Sequence, residues 1–189
     1  MENQNENTKE QIIETPATQT EVTINQEKLN LYIEELKLDQ NLSFGVVAGL
    51  AASIVSAVLW AVITVATEYQ IGYMAIAVGL IVGFTVRWAG KGFDKIFGIA
   101  GALLALLGCL LGNFLSMIGF IANAQELGYF ETLSLFDYSL ITDLMIETAD
   151  PMDLLFYGFA IYEGYKFSFR KLTEQEIMAN AVDHAGDAK

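Results

Sequence analysis

The chain has 189 residues, of which 53% are hydrophobic and only 17% charged, with a formal net charge of −13. A soluble domain carries about 25% charged residues, and a mean hydropathy of +0.40 is high for one. With a long central stretch nearly bare of charge, the composition excludes a disordered chain, a collagen-like chain and an ordinary soluble globule, and points to an integral membrane protein.

Residues 1–26 are polar, rich in Glu, Gln, Asn and Thr, and free of aromatics. They cannot bury enough apolar surface to offset their ordering entropy and are expected to be a disordered arm. Their acidic start, with no apolar run behind it, is unlike a signal peptide. Over 27–41 the character changes: Leu29, Tyr32, Ile33 and Leu36 recur at helical spacing. Such a narrow stripe fits an interfacial helix lying on lipid headgroups, and it also fits a docking helix for a partner.

The region 42–169 reads as a transmembrane domain of four spans. The first, about 42–66, holds no charge and is followed by a short turn, Thr67 to Gln70. The second, about 71–88, leads into a basic turn with Arg87, Lys91 and Lys95 against Asp94. The third, about 96–122, is long enough to tilt or protrude. A linker at 123–150 is acidic yet apolar, and Tyr129, Phe130, Leu133, Phe136, Leu140, Ile141, Leu144 and Met145 suggest one or two interfacial helices there. The fourth span, about 154–169, is the shortest; Asp150 as N-cap, Pro151 in the first turn and Asp153 three residues after the cap signal its start. Residues 170–189 read as a charged tail. The expected fold is therefore all-α, a polytopic helical bundle with four spanning helices.

Charge placement sets the threading. The Thr67–Gln70 turn and the 123–150 linker contain acids but no Lys or Arg, and all ten basic residues fall in the other segments. The positive-inside rule then puts both termini and the 87–95 turn in the cytoplasm, with the two acidic connections outside. The net charge argues against nucleic-acid binding and against a polybasic lipid sensor.

Helices in lipid associate by close packing and a few polar contacts, because the hydrophobic drive between them is absent. Small residues recur every three or four positions in three spans: Gly45 and Gly49, then Gly79 and Gly83, then Gly101, Ala105, Gly108 and Gly112. These faces can pack the helices of one chain together, or one face can be left over for self-association or a partner. Trp60, Tyr69, Tyr73, Trp88, Tyr157 and Tyr165 lie mostly near span ends, as an aromatic belt does.

Few residues could carry chemistry. One cysteine excludes a cysteine zinc site or disulfide framework within one chain, and the only histidine, His184, sits in the tail. No Walker motif, HExxH or CxxC is present, so no catalytic residue, metal ligand or cofactor is assigned and an enzyme is not expected. Glu163 is the one acid inside a span, and an intramembrane carboxylate is a functional-site hypothesis by default. Lys166 and Arg170 lie on its own face and Arg87 could reach it across helices, so a structural ion pair competes with a proton or cation site. Asn113 is expected to bond across helices, and Cys109 to pack. Ser53, Ser56, Thr64 and Thr85 are expected to bond back to their own helices.

The stretch TEYQIGYMAIAVGLIVGFTVRWAGKGFDKIFGIAGALLALLGCLLGN resembles a group of small bacterial membrane proteins of no assigned activity. They share a glycine-rich second span and a basic turn before a glycine-rich third span. The resemblance covers about residues 42–122. It implies a bacterial cytoplasmic membrane and carries over no catalytic or binding residue. The expectation is a structural or accessory membrane protein whose partners are the bilayer and either further copies of itself or other membrane subunits. The alternative is a cation or proton pathway using Glu163.

Overall fold

The computed structural model describes residues 26–69, 72–148 and 150–181. The expected disordered arm, apart from Gln26, and His184 lie outside the described residues. Among the described residues the fold is all-helical, without strands. In chain order the helices are α1 (Gln26–Leu38), α2 (Leu42–Thr67), α3 (Met74–Gly90), α4 (Lys95–Ala124), α5 (Tyr129–Leu135), a 3-10 turn (Tyr138–Leu140), α6 (Ile141–Glu147), α7 (Pro151–Phe167) and α8 (Glu174–Ala181).

The helix ends follow local chemistry. Asn41 caps α2, its side-chain oxygen accepting the Phe44 N–H at 2.9 Å. The start of α7 is a full capping box: Asp150 accepts the Met152 N–H at 2.8 Å, and Asp153 accepts the Asp150 N–H at 3.2 Å. Glu68, Lys91 and Glu126 take left-handed φ values of 58°, 47° and 55° just past the ends of α2, α3 and α4. Glycine usually fills such positions. Here the glycines lie mostly within helices, where they let backbones approach.

Two helices, α2 with 26 residues and α4 with 30, are long and apolar enough to cross a membrane by length and composition. The other two long elements, α3 and α7, have 17 residues each. At ~1.5 Å per residue they reach about 26 Å, the lower edge of what a ~30 Å hydrocarbon core requires.

The four long helices form one bundle. Helix α2 packs on α3 and α4, α7 packs on the same two, and α3 meets α4 at the centre. One end of the bundle carries Arg87, Lys91, Lys95 and Arg170, and the other carries the acidic connections. At the acidic end the linker folds back along α4: the Tyr129 hydroxyl donates to the Leu115 carbonyl at 3.1 Å, and Phe114 stacks with Phe136 and Tyr138. Burial pushes the Tyr129 phenol above its ordinary pKa. At the basic end α8 packs on α1. The tail thus holds a helix where only a charged segment is read from sequence. Its signal is the capping box Thr173-Glu174-Gln175-Glu176, in which the Glu176 carboxylate accepts the Thr173 N–H at 3.0 Å.

Side-chain size is reversed relative to a water-soluble core. Inside are mostly Gly, Ala, Ser, Thr and Val, with Cys109 and three large side chains, Trp60, Phe97 and Ile118. Outside, Phe44, Leu50, Ile54 and Leu59 of α2, Ile99 and Leu103 of α4, and Leu154 and Phe159 of α7 stand exposed. Only 33% of the most apolar window of α2 and 39% of that of α4 are buried, far from the enclosure of a soluble core helix.

Candidate functional site

All eight small residues singled out from sequence are buried within the chain. A Cβ on Gly79 would lie 2.6 Å from the Ala160 carbonyl oxygen, and one on Gly83 3.2 Å from that of Glu163. Gly101 meets Gly164, whose own added Cβ would sit 2.8 Å from that of Ala105. Gly45 faces Gly90 at 3.1 Å, Gly49 faces Val86 at 2.5 Å, Gly108 faces Val78 at 2.8 Å and Gly112 faces the Trp60 ring at 3.0 Å. The glycine faces are consumed by α2, α3, α4 and α7 themselves. No glycine face of these is left over for a partner.

The space at Gly112 explains why Trp60 departs from the expected belt. It is 1% exposed and joins the core with Ala75, Val78 and Cys109. Trp88, Tyr69 and Tyr73 do stand exposed near helix ends. Tyr157 is half-buried and accepts a hydrogen bond from the Asn113 amide at 3.2 Å. Asn113 thus links α4 to α7. One turn N-terminal to Tyr157 lies the buried Asp153 of the capping box.

The hydroxyls divide. Thr85 donates back to Ile81 at 2.7 Å, and Ser53 donates to Gly49 in its own helix at 2.9 Å and to Leu104 of α4 at 2.8 Å. Ser56 and Thr64, expected to bond back, have buried oxygens without hydrogen-bond partners among the described residues, and so has the Trp60 indole N–H between them. At i, i+4 and i+8 these three share the inner face of α2.

Glu163 lies about one turn from the end of α7. Its Oε2 is buried and has no hydrogen-bond partner among the described residues. The expected ion pairs do not form among the described residues. Lys166 turns outward over the rings of Tyr162 and Phe167, 5.3 and 5.4 Å from their centres. Arg170 pairs with Glu176, supplied by the unexpected helix α8. Arg87 lines a pocket at the basic end. Glu163 and Asn113 stay apart: Tyr157, which Asn113 contacts, is six residues from Glu163, about 9 Å along the helix. Among the described residues no group of three or more His, Cys, Asp or Glu could hold a metal.

The basic end is held by backbone and amide contacts that sequence reasoning missed. The Asn41 N–H donates to Gly90 at 2.9 Å, and the Arg170 N–H donates to Gly92 at 2.7 Å. Gln40 donates to the Asp94 carboxylate at 2.6 Å, while its own oxygen accepts the Phe93 and Asp94 N–H groups at 3.3 and 3.4 Å. Lys91 pairs with Asp39 at 2.8 Å.

No protein-family model matches the chain, and no curated protein or solved structure matches it.

Proposed function

We propose that the chain is a four-span protein of the bacterial cytoplasmic membrane, with both termini cytoplasmic, that acts without catalysis as a structural or accessory component. The observation that carries this reading is the reversal of side-chain size, with small residues in the seams and Leu, Ile, Val and Phe on the girdle of all four long helices. Water would penalise so large a continuous apolar surface. Lipid does not, and in lipid close approach of glycine-lined backbones supplies the association energy. Since the glycine faces are spent inside, contact with a second copy or another subunit falls on the outward large side chains or on the linker.

Threading is tested by single cysteines at Glu131 and Lys171 in a Cys109→Ala background. An impermeant maleimide added to intact cells is expected to label Glu131→Cys and not Lys171→Cys; the opposite pattern overturns the orientation. The accessory role is tested by gentle extraction into lipid nanodiscs. Assembly with itself or with co-purifying membrane subunits is expected, and a monomer with no companion contradicts it.

The buried Oε2 of Glu163, without a hydrogen-bond partner among the described residues, favours a second reading, in which this carboxylate serves a proton or cation pathway. Under that reading liposomes with wild-type protein pass protons or monovalent cations, and Glu163→Gln lowers the flux at least tenfold. Absence of flux from both removes it.

A further inference from the structure

A pocket of about 550 Å³ opens at the basic end, between α1, the last turns of α3 and the segment after α7. Its wall includes Arg87, Lys91 and Arg170, with Asp39 as its acid and Trp88 and Phe93 among its apolar surfaces. The cations are not equivalent. Lys91 is neutralised by Asp39 and Arg170 by Glu176. Arg87 has no ion-pair partner among the described residues, so its five-donor fork is available to an outside anion. The frame is fixed: Arg170 and Asn41 hold the 90–92 backbone, and Gln40 clamps residues 93–94. An anion entering here meets an ordered site, which lowers the entropy cost of binding.

The pocket also has a direction. Ile81, Phe84 and Trp88 lie at i, i+3 and i+7 on the outer face of α3, and all three are exposed. They form an apolar track that runs from the pocket down the girdle of the bundle. The site therefore couples a cationic head to a hydrophobic path. That matches a ligand whose anion is joined to acyl chains, and a free phosphate ion would leave the track unused.

The geometry points to a binding site for an anionic phospholipid, its phosphodiester held by Arg87 with support from Lys91 and Arg170, and its chains lying along Phe84 and Ile81. This rests on the membrane reading proposed above. It differs from a polybasic sensor, which the net charge of −13 opposes: Arg87, flanked by two cations already paired with Asp39 and Glu176, acts on one headgroup in one shaped pocket. A headgroup that carries its own ammonium, such as phosphatidylcholine, is disfavoured because that charge faces Arg87.

Tryptophan quenching tests the site in the full chain. Of the two tryptophans, Trp88 is 83% exposed at the pocket and Trp60 is buried in the core. Protein is reconstituted in phosphatidylcholine vesicles containing brominated-chain phosphatidylglycerol or, separately, brominated-chain phosphatidylcholine at equal mole fraction. The expected result is preferential quenching by phosphatidylglycerol, with a relative binding constant of about fivefold, the worth of about 1 kcal/mol for one cation near an anionic membrane surface. Arg87→Gln reduces the ratio to about one, Arg87→Lys retains part of it, and Lys171→Gln, outside the pocket, retains all of it. Equal quenching by both lipids in the wild type, or a preference that survives Arg87→Gln, overturns the proposal. A second arm adds inorganic phosphate to detergent-solubilised protein: an Arg87-dependent fluorescence change at millimolar phosphate, without lipid preference, assigns the site to free phosphate and overturns the lipid assignment. Quenching by neither lipid is a different failure, since it removes Trp88 from the bilayer and overturns the membrane reading together with this site.

Discussion

Along α2 the two faces differ in side-chain size more than in polarity. Apart from Trp60, which fills the space at Gly112, small residues such as Gly45, Gly49, Ser53, Ser56 and Ala57 turn into the bundle, and Phe44, Val47, Leu50, Ile54 and Val55 turn out of it. A helix in a soluble protein does the reverse: it buries its large apolar side chains and leaves small and polar ones at the surface. The contrast is what the membrane reading proposed above requires. Inside, the determining quantity is the distance between backbones, as at Gly79 and Ala160. Outside, under that reading, it is the match between alkyl side chains and an alkyl surrounding. The same comparison explains why glycine stands at the helix crossings.

The sharpest break between seam and girdle comes from two glycines. Gly79→Ala is expected to destabilise by about 3 kcal/mol or more, because its Cβ would meet backbone atoms of Ala160 that cannot move alone. A Cβ on Gly158 would meet nothing within 4 Å beyond its own stretch of helix among the described residues, so Gly158→Ala is expected to stabilise by up to about 1 kcal/mol through helix propensity. Reversible unfolding in mixed micelles reads both, and similar costs at the two sites would erase the distinction. Next in size is Ile54→Arg, at the middle of α2 and 49% exposed. A lipid-facing arginine at a helix centre costs about 2.5–3.5 kcal/mol of insertion free energy, whereas in water the change is close to neutral. A membrane-insertion assay that shows no loss would contradict the girdle.

Smaller effects sharpen the picture. Tyr157→Phe removes the hydroxyl that accepts from Asn113, and about 0.6 kcal/mol of bundle stability is expected to go with it. The least is expected at the linker. Asp137 lies below the ordinary carboxylate range because the Ser139 hydroxyl and N–H donate to it, at 2.7 and 3.0 Å. Its contribution is present above the ordinary carboxyl pKa and is lost as the pH falls through its lowered folded value. Ser139→Ala is expected to move the Asp137 titration upward, as carboxyl NMR shifts would report; an unmoved titration would show that the turn does not hold this bond.

What was legible in the sequence follows from the same physics. The long apolar runs of α2 and α4 stand out by length and composition alone, and the α7 start is written locally in Asp150, Pro151 and Asp153. Asn41 as a cap and the Thr173–Glu176 box are equally local signals, but they sit beside louder ones. The partner of each glycine was not legible, since it depends on which helices cross. The fate of Glu163 was not legible either: its three nearby cations were visible, yet Glu176 and the Tyr162 and Phe167 rings compete for two of them. The pocket at Arg87 draws on residues near 36–39, 84–93 and 170, which only the bundle brings together.

The most direct test of a lipid-solvated girdle is extraction of native membranes with alkaline carbonate. The account predicts that the whole chain stays with the membrane pellet and enters solution only with detergent. Release into the supernatant as a monodisperse species in plain buffer would contradict it.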